Sequence, residues 1–124
     1  MLLNLSNHPY SQWDSLQREA ARPFGECVDM AFPNIDRSAD EEEILALAYD
    51  YAGKIESSCK SKDVTVHVMG EQTFCFAIIT ILLSRGIPCI ASCSERDVVM
   101  EADGTKSVRF HFARFRHYTS LLSQ

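Results

Sequence analysis

The chain lacks any apolar run near the roughly 18 residues that a membrane-spanning helix needs. Its start, Met1-Leu2-Leu3-Asn4, has neither the basic residues nor the cleavage site of a secretory signal. A soluble, cytoplasmic protein with no membrane partner is therefore expected. Its five cysteines, Cys27, Cys59, Cys75, Cys89 and Cys93, form no CxxC pair and no zinc-finger spacing. Their number is odd and most lie inside apolar segments, which reads as buried free thiols in a reducing compartment. Cys89 and Cys93, four positions apart on one strand, would converge poorly on an ion, so no metal site and no cofactor are expected. GxGxxG and GKS/T are both missing, which excludes a dinucleotide fingerprint and a P-loop. GxSxG is missing too, and no base is marked beside Ser92 or Ser94, so a serine nucleophile is set aside. Positive charge is scarce: 12 Lys and Arg stand against 17 Asp and Glu, a net charge of −5. Coating of duplex nucleic acid is not expected from that balance.

What remains is a chain of 124 residues, 46% hydrophobic, which fits one domain over 1–124 with a real core and leaves no room for a second. There is no internal repeat and no low-complexity segment. The charge is uneven, −7 over residues 1–82 and +2 over 83–124, so an anion would be met in the C-terminal third.

Leu2 to Ser6 reads as a buried strand, broken at Ser6-Asn7-His8-Pro9 because proline biases the residue before it away from helical angles. Ser11 is placed to cap a helix from Gln12 to about Ala21, stopped by Pro23 and Gly25. Cys27 to Met30 is a second strand. Asp40-Glu41-Glu42-Glu43 opens the longest periodic segment, with Ile44, Leu47, Ala48, Tyr51, Ala52 and Ile55 on one face. Val64 to Met69, rich in β-branched residues, is a central strand. A strongly apolar helix runs from Gln72 or Thr73 to Ser84 with Gly86 as its C-cap, and Ile87 to Ser92 is the next strand. Strands alternating with helices predict an α/β fold, a Rossmann-like, mostly parallel sheet with helices on both faces. Asp103-Gly104 between two extended segments, 97–101 and 107–115, predicts a C-terminal β-hairpin.

Ligands of such sheets gather beyond the carboxyl ends of the strands. That edge comprises Ser6-Asn7-His8, the turn Gly70-Glu71-Gln72-Thr73, and Ser92 to Arg96. These stretches are dense in hydroxyls and amides, which suits a phosphate or ribose better than an apolar ligand. Gly70 either makes a tight turn or lets a ligand approach the backbone; Glu71 either accepts ribose hydroxyls or caps the following helix. Histidine is the side chain suited to proton transfer near neutral pH, so His8 is the candidate general base or acid, with Arg96 the anion clamp and Arg114 and Arg116 sharing one face of the last strand.

Taken together, LNLSNHP with a following helix, VHVMGEQTFCFAIITILLSRGIPCIAS and the arginine-bearing last strand resemble the small CRISPR-associated Rossmann-fold (CARF-like) proteins, in particular the stand-alone ring nucleases of type III CRISPR systems. The resemblance implies a homodimer that binds cyclic oligoadenylate, often cyclic tetra-adenylate, across its two-fold axis. It implies metal-independent phosphodiesterase chemistry: a ribose 2′-hydroxyl attacks the adjacent phosphate in line and leaves a 2′,3′-cyclic phosphate, ending the antiviral signal. Ser6, Asn7 and His8 then match the ring-contacting loop after the first strand, and Gly70, Glu71, Gln72 and Thr73 the central turn. Ser92, Ser94 and Arg96 match the next strand end; His8, Ser6 and Arg96 are the expected catalytic set. Such families often carry a lysine or arginine in the central turn where this chain has Glu71. Two other functions stay open on that account: a non-catalytic cyclic-oligoadenylate sensor or sponge, and a nucleoside glycosidase or deoxyribosyltransferase with Glu71 as nucleophile.

Overall fold

Five strands form one sheet in the order β2-β1-β3-β4-β5. They are β1 (Leu2–Ser6), β2 (Cys27–Ala31), β3 (Thr65–Met69), β4 (Cys89–Met100) and β5 (Lys106–His117). The computed structural model describes residues 1–59 and 63–121. The first four strands run parallel, and β5 returns antiparallel to β4. The α/β fold with a C-terminal hairpin is thus present, its tip turning through Gly104 at φ 87°.

Three helices cover the sheet: α1 (Ser15–Ala21), α2 (Glu41–Ser58) and α3 (Gln72–Ser84). β1 explains how they divide. All five of its residues are buried, as a strand covered on both faces requires. Leu3 and Leu5 belong to the main core with α2, α3, Val66 and Val68, whereas Leu2 belongs to a second cluster with Trp13, Ala21 and Ile90. The main core is filled by Phe74, against which the rings of Phe32 and Tyr51 pack edge-on at 5.2 and 5.5 Å.

Each helix start has a side-chain cap. Asp40 Oδ1 accepts from the Glu43 amide at the head of α2, where the DEEE run supplies carboxylates to the positive end of the helix. The first helix begins later than the sequence suggested. Asp14, not Ser11, caps it by accepting from the Gln17 amide, and Tyr10–Gln12 is a separate 3-10 turn. Asp14 stands three residues before Gln17 and so reaches its N3 amide, whereas Ser11 lies inside the 3-10 turn.

A second correction concerns Ser92 to Arg96, expected as a loop between two strands. The segment is part of one continuous strand of 12 residues. β3 pairs with β4 only at Cys89 and Ile90, so beyond that point β4 and β5 leave the sheet as a two-stranded arm. A register shift at Cys93/Ser94 bends the arm. The extra residue lets Phe112 and Phe115, three positions apart, both face α1, with their rings 4.9 Å apart.

Candidate functional site

The strand order reverses direction between β1 and β3: α1 crosses over on one face, α2 and α3 on the other. At such a switch point the carboxyl ends of the strands leave a crevice. Here it is a cavity of about 430 Å³ lined by Ser6, His8, Trp13, Gln17, His67 and Ser92, among others.

Its floor is a polar network set into apolar strands. Asn4 and His67 are register partners on β1 and β3, 1% and 2% exposed respectively. The Asn4 amide nitrogen donates to the His8 carbonyl at 2.8 Å and to Asp29 Oδ1 at 2.9 Å. Both partners only accept, which fixes the amide orientation and leaves Asn4 Oδ1 to accept. It accepts from Ser6 Oγ and lies 2.8 Å from His67 Nδ1. His67 Nδ1 therefore carries the proton and Nε2 the lone pair. Ser92 Oγ lies 2.5 Å from that Nε2 and, as the only possible donor, gives it its proton. The Gln17 side-chain amide donates to the same Ser92 Oγ at 3.0 Å. Burial, with a smaller contribution from the nearby His8, pushes the His67 pKa down to about 4. The imidazole is neutral at physiological pH and presents a lone pair to a hydroxyl at the cavity wall.

Aromatic rings hold this network in place. Trp13 packs edge-on against His67 at 5.2 Å and donates its indole N–H to the His8 carbonyl at 3.0 Å. Phe115 closes on His67 from the β5 side at 5.6 Å. Asp14, having capped α1 with Oδ1, accepts from the Phe112 amide with Oδ2 at 3.5 Å and so ties α1 to the arm.

The family model described as the uncharacterized protein MJ1673 family matches residues 1–116, from the first strand almost to the end of β5. The chain belongs to the MJ1673 family. No curated protein matches it. The matched span contains every residue of the polar network, so the cavity lies within what the MJ1673 family model describes.

Of the residues singled out in the sequence, Ser6, His8, Ser92 and Ser94 come together in this cavity. His8 is exposed and meets the network through its backbone, while Asn7 is exposed in the bend beside it and does not line the cavity. Arg96 is exposed on the arm, has no ion-pair partner among the described residues, and pairs across strands with Phe110, which does line the cavity. Arg114 and Arg116 flank Phe115 in sequence and so point to the opposite face of the sheet, away from Ser92.

The central turn is next door rather than inside. Gly70 and Gln72 line a separate apolar groove along α3, and only Met69 belongs to both. A Cβ at Gly70 would fall within the ring of Phe32, so close packing explains the glycine. Glu71 caps α3: its Oε1 accepts from the Phe74 amide at 2.8 Å and from Thr73 Oγ1 at 2.6 Å. Those bonds, Thr73 first, hold its carboxyl below the usual range.

Sequence reasoning missed Asn4, His67 and Gln17. The signal for two of them was present, since Asn4 interrupts the apolar run LLNL and His67 the apolar run VHVM. Gln17 announces itself only through tertiary packing.

Two other features border or lie beyond the cavity. A larger hollow, about 940 Å³, opens at the amino edge of the sheet. Among the described residues its lining carries Glu56 (paired with Arg85), Asp63 and the amino terminus of Met1. On the arm, the half-buried His111 lines the far side of the cavity and sits between Glu95 at 3.2 Å and Asp97 at 3.1 Å. Cys89 is buried and its thiol is pushed up to about 12, so it is a core group rather than a thiolate ligand.

Proposed function

We propose that the chain is a ring nuclease, a metal-independent phosphodiesterase that binds cyclic oligoadenylate, cyclic tetra-adenylate in particular, and opens it by in-line attack of a ribose 2′-hydroxyl. The observation that carries this reading is the cavity at the strand carboxyl ends, where hydroxyls, neutral amides and a neutral imidazole converge beside an arginine with no ion-pair partner among the described residues and an exposed aromatic ring. The cavity is about the size of one nucleotide. Phe110, 70% exposed on the arm, offers a stacking platform for adenine, and Arg96 beside it a charge for the phosphate. Cleavage then needs positioning and charge stabilisation more than a metal.

The reading includes a homodimer, in which two cavities related by a two-fold axis serve one symmetric ring. The arm supports association. Val98, Met100, Val108 and Phe110 are exposed and share one of its faces, and a two-stranded ribbon gains stability from a partner.

Incubation with labelled cyclic tetra-adenylate in EDTA should give linear products ending in a 2′,3′-cyclic phosphate. Arg96→Ala should weaken ring binding roughly 10-fold or more. Neither binding nor cleavage by the folded protein would overturn the assignment. Tight binding with the ring intact after hours would select the sensor reading instead. A glycosidase with Glu71 as nucleophile finds little support, because that carboxylate is engaged in capping α3 and does not line the cavity.

A further inference from the structure

The cavity holds a group with no part in the expected catalytic set. Ser92 Oγ, His67 Nε2, His67 Nδ1 and Asn4 Oδ1 form a continuous hydrogen-bonded line with contacts of 2.5 and 2.8 Å. The order hydroxyl, imidazole, orienting oxygen is that of an activated serine. Three features separate it from an incidental buried network. The tautomer is dictated by Asn4, whose nitrogen is pinned by the His8 carbonyl and Asp29. The half-buried hydroxyl stands at the cavity wall and the imidazole behind it is 2% exposed, so a substrate meets the serine before the imidazole. Gln17 donates to Ser92 Oγ and stabilises negative charge developing there.

We propose that Ser92 is the catalytic hydroxyl of the cavity, with its proton held by His67 and with Asn4 as the positioning residue that keeps His67 in the accepting tautomer. The role rests on the phosphodiesterase reading above. In that reaction Ser92 Oγ takes the proton of the attacking 2′-hydroxyl as its own passes to His67 Nε2. The O2′–P bond forms, the P–O5′ bond breaks, and the leaving oxygen takes a proton from water. His67 then returns its proton to solvent through Ser92. No oxidant, metal or water molecule is consumed, and the product is the 2′,3′-cyclic phosphate. His8, exposed and bonded to the network only through its backbone, is then not the base.

The ionisable groups around His67 are His8 from the loop after β1, Asp29 of β2 behind Asn4, Asp14 at the start of α1 across the cavity, and His111 of β5 at the cavity rim with its partners Glu95 and Asp97. None accepts directly from its ring nitrogens, both of which are taken by neutral partners. The rate should therefore hold from pH 8 to about 5 and fall only as His67 takes a proton near 4.

Two measurements test the relay, one of them independent of the substrate. A fluorophosphonate probe reacts with an activated serine by forming an Oγ–P bond and expelling fluoride, the proton passing to the adjacent base. Mass spectrometry should find Ser92 labelled in the wild type, no label in Ser92→Ala, and labelling at least roughly 100-fold slower in His67→Gln. Absence of label on the folded wild-type protein overturns the relay, even if the ring is cut. Label without ring cleavage supports the relay and overturns the substrate named above. With cyclic tetra-adenylate, kcat should fall roughly 100-fold or more in Ser92→Ala, and His8→Ala should keep the acid limb near 4. A limb near 6.5 that His8→Ala removes would return the role to His8 and overturn the proposal. If His67→Gln does not fold, the pH dependence of wild-type labelling gives the same decision.

Discussion

The two faces of β1 are built on opposite principles. Toward α2 and α3 it presents Leu3 and Leu5 to a core of Phe74, Ile78, Leu82, Val66 and Val68, with nothing polar between them. Toward α1 it presents Leu2, then Asn4, then Ser6, and the polar pair is satisfied by His67, His8 and Asp29, with Ser92 completing His67. The first face derives its stability from apolar area removed from water. The second buries amides, a hydroxyl and an imidazole that contribute little net stability and cost much if left unpaired. A domain of this size could have filled that space with aliphatic side chains. The polar layer instead lies under the cavity, where it fixes a tautomer.

The sharpest break comes from the apolar face. Phe74 is fully buried and carries two edge-on aromatic contacts, so Phe74→Ala should cost about 4 kcal/mol, read as a lowered urea midpoint. Fluorophosphonate labelling of Ser92, measured where the variant is still folded, should persist. Loss of labelling at full folding would show that the two faces are coupled.

The polar face should respond to acid rather than to truncation. The His67 pKa is about 4 in the folded chain against 6.5 when unperturbed. Above about 6.5 both states are neutral and stability is whole. Below it the unfolded imidazole binds a proton that the folded one refuses, so unfolding is drawn forward as pH falls, levelling off below 4. Over that window the loss is roughly 3 kcal/mol. NMR should show the His67 ring resonances still until the pH approaches 4; a transition at 6.5 would mean that the ring is not held dry.

Much of this architecture was legible in the sequence because period reports burial. The alternation of strands and helices gave the α/β sheet, and Asp103-Gly104 gave the hairpin. The helix start at Asp14 and the unbroken β4 were not legible. A cap depends on which side chain reaches an amide, and Ser92 to Arg96 is extended only because β5 pairs along its length. The carboxyl edge of the sheet does hold a cavity, but which side chains meet there depends on register. Asn4 and His67 lie 63 residues apart in sequence and become neighbours through parallel pairing. Ser92 lacked a base by any local motif and acquires one from β3.

Glu71 gives the smallest expected effect and the cleanest separation of a fold role from a site role. Its carboxylate accepts from the Phe74 amide and the Thr73 hydroxyl, both at the head of α3, and α3 packs on the apolar face. Glu71→Ala removes that cap and should lower the melting temperature by a few degrees. Glu71→Gln keeps an acceptor for the Phe74 amide and loses only the charge, so its shift should be smaller still. Neither substitution reaches Ser92, so labelling and ring cleavage should follow the wild type in both. A large loss of turnover in Glu71→Gln with its fold intact would move the chemistry across Met69 to the α3 groove and revive the carboxylate nucleophile.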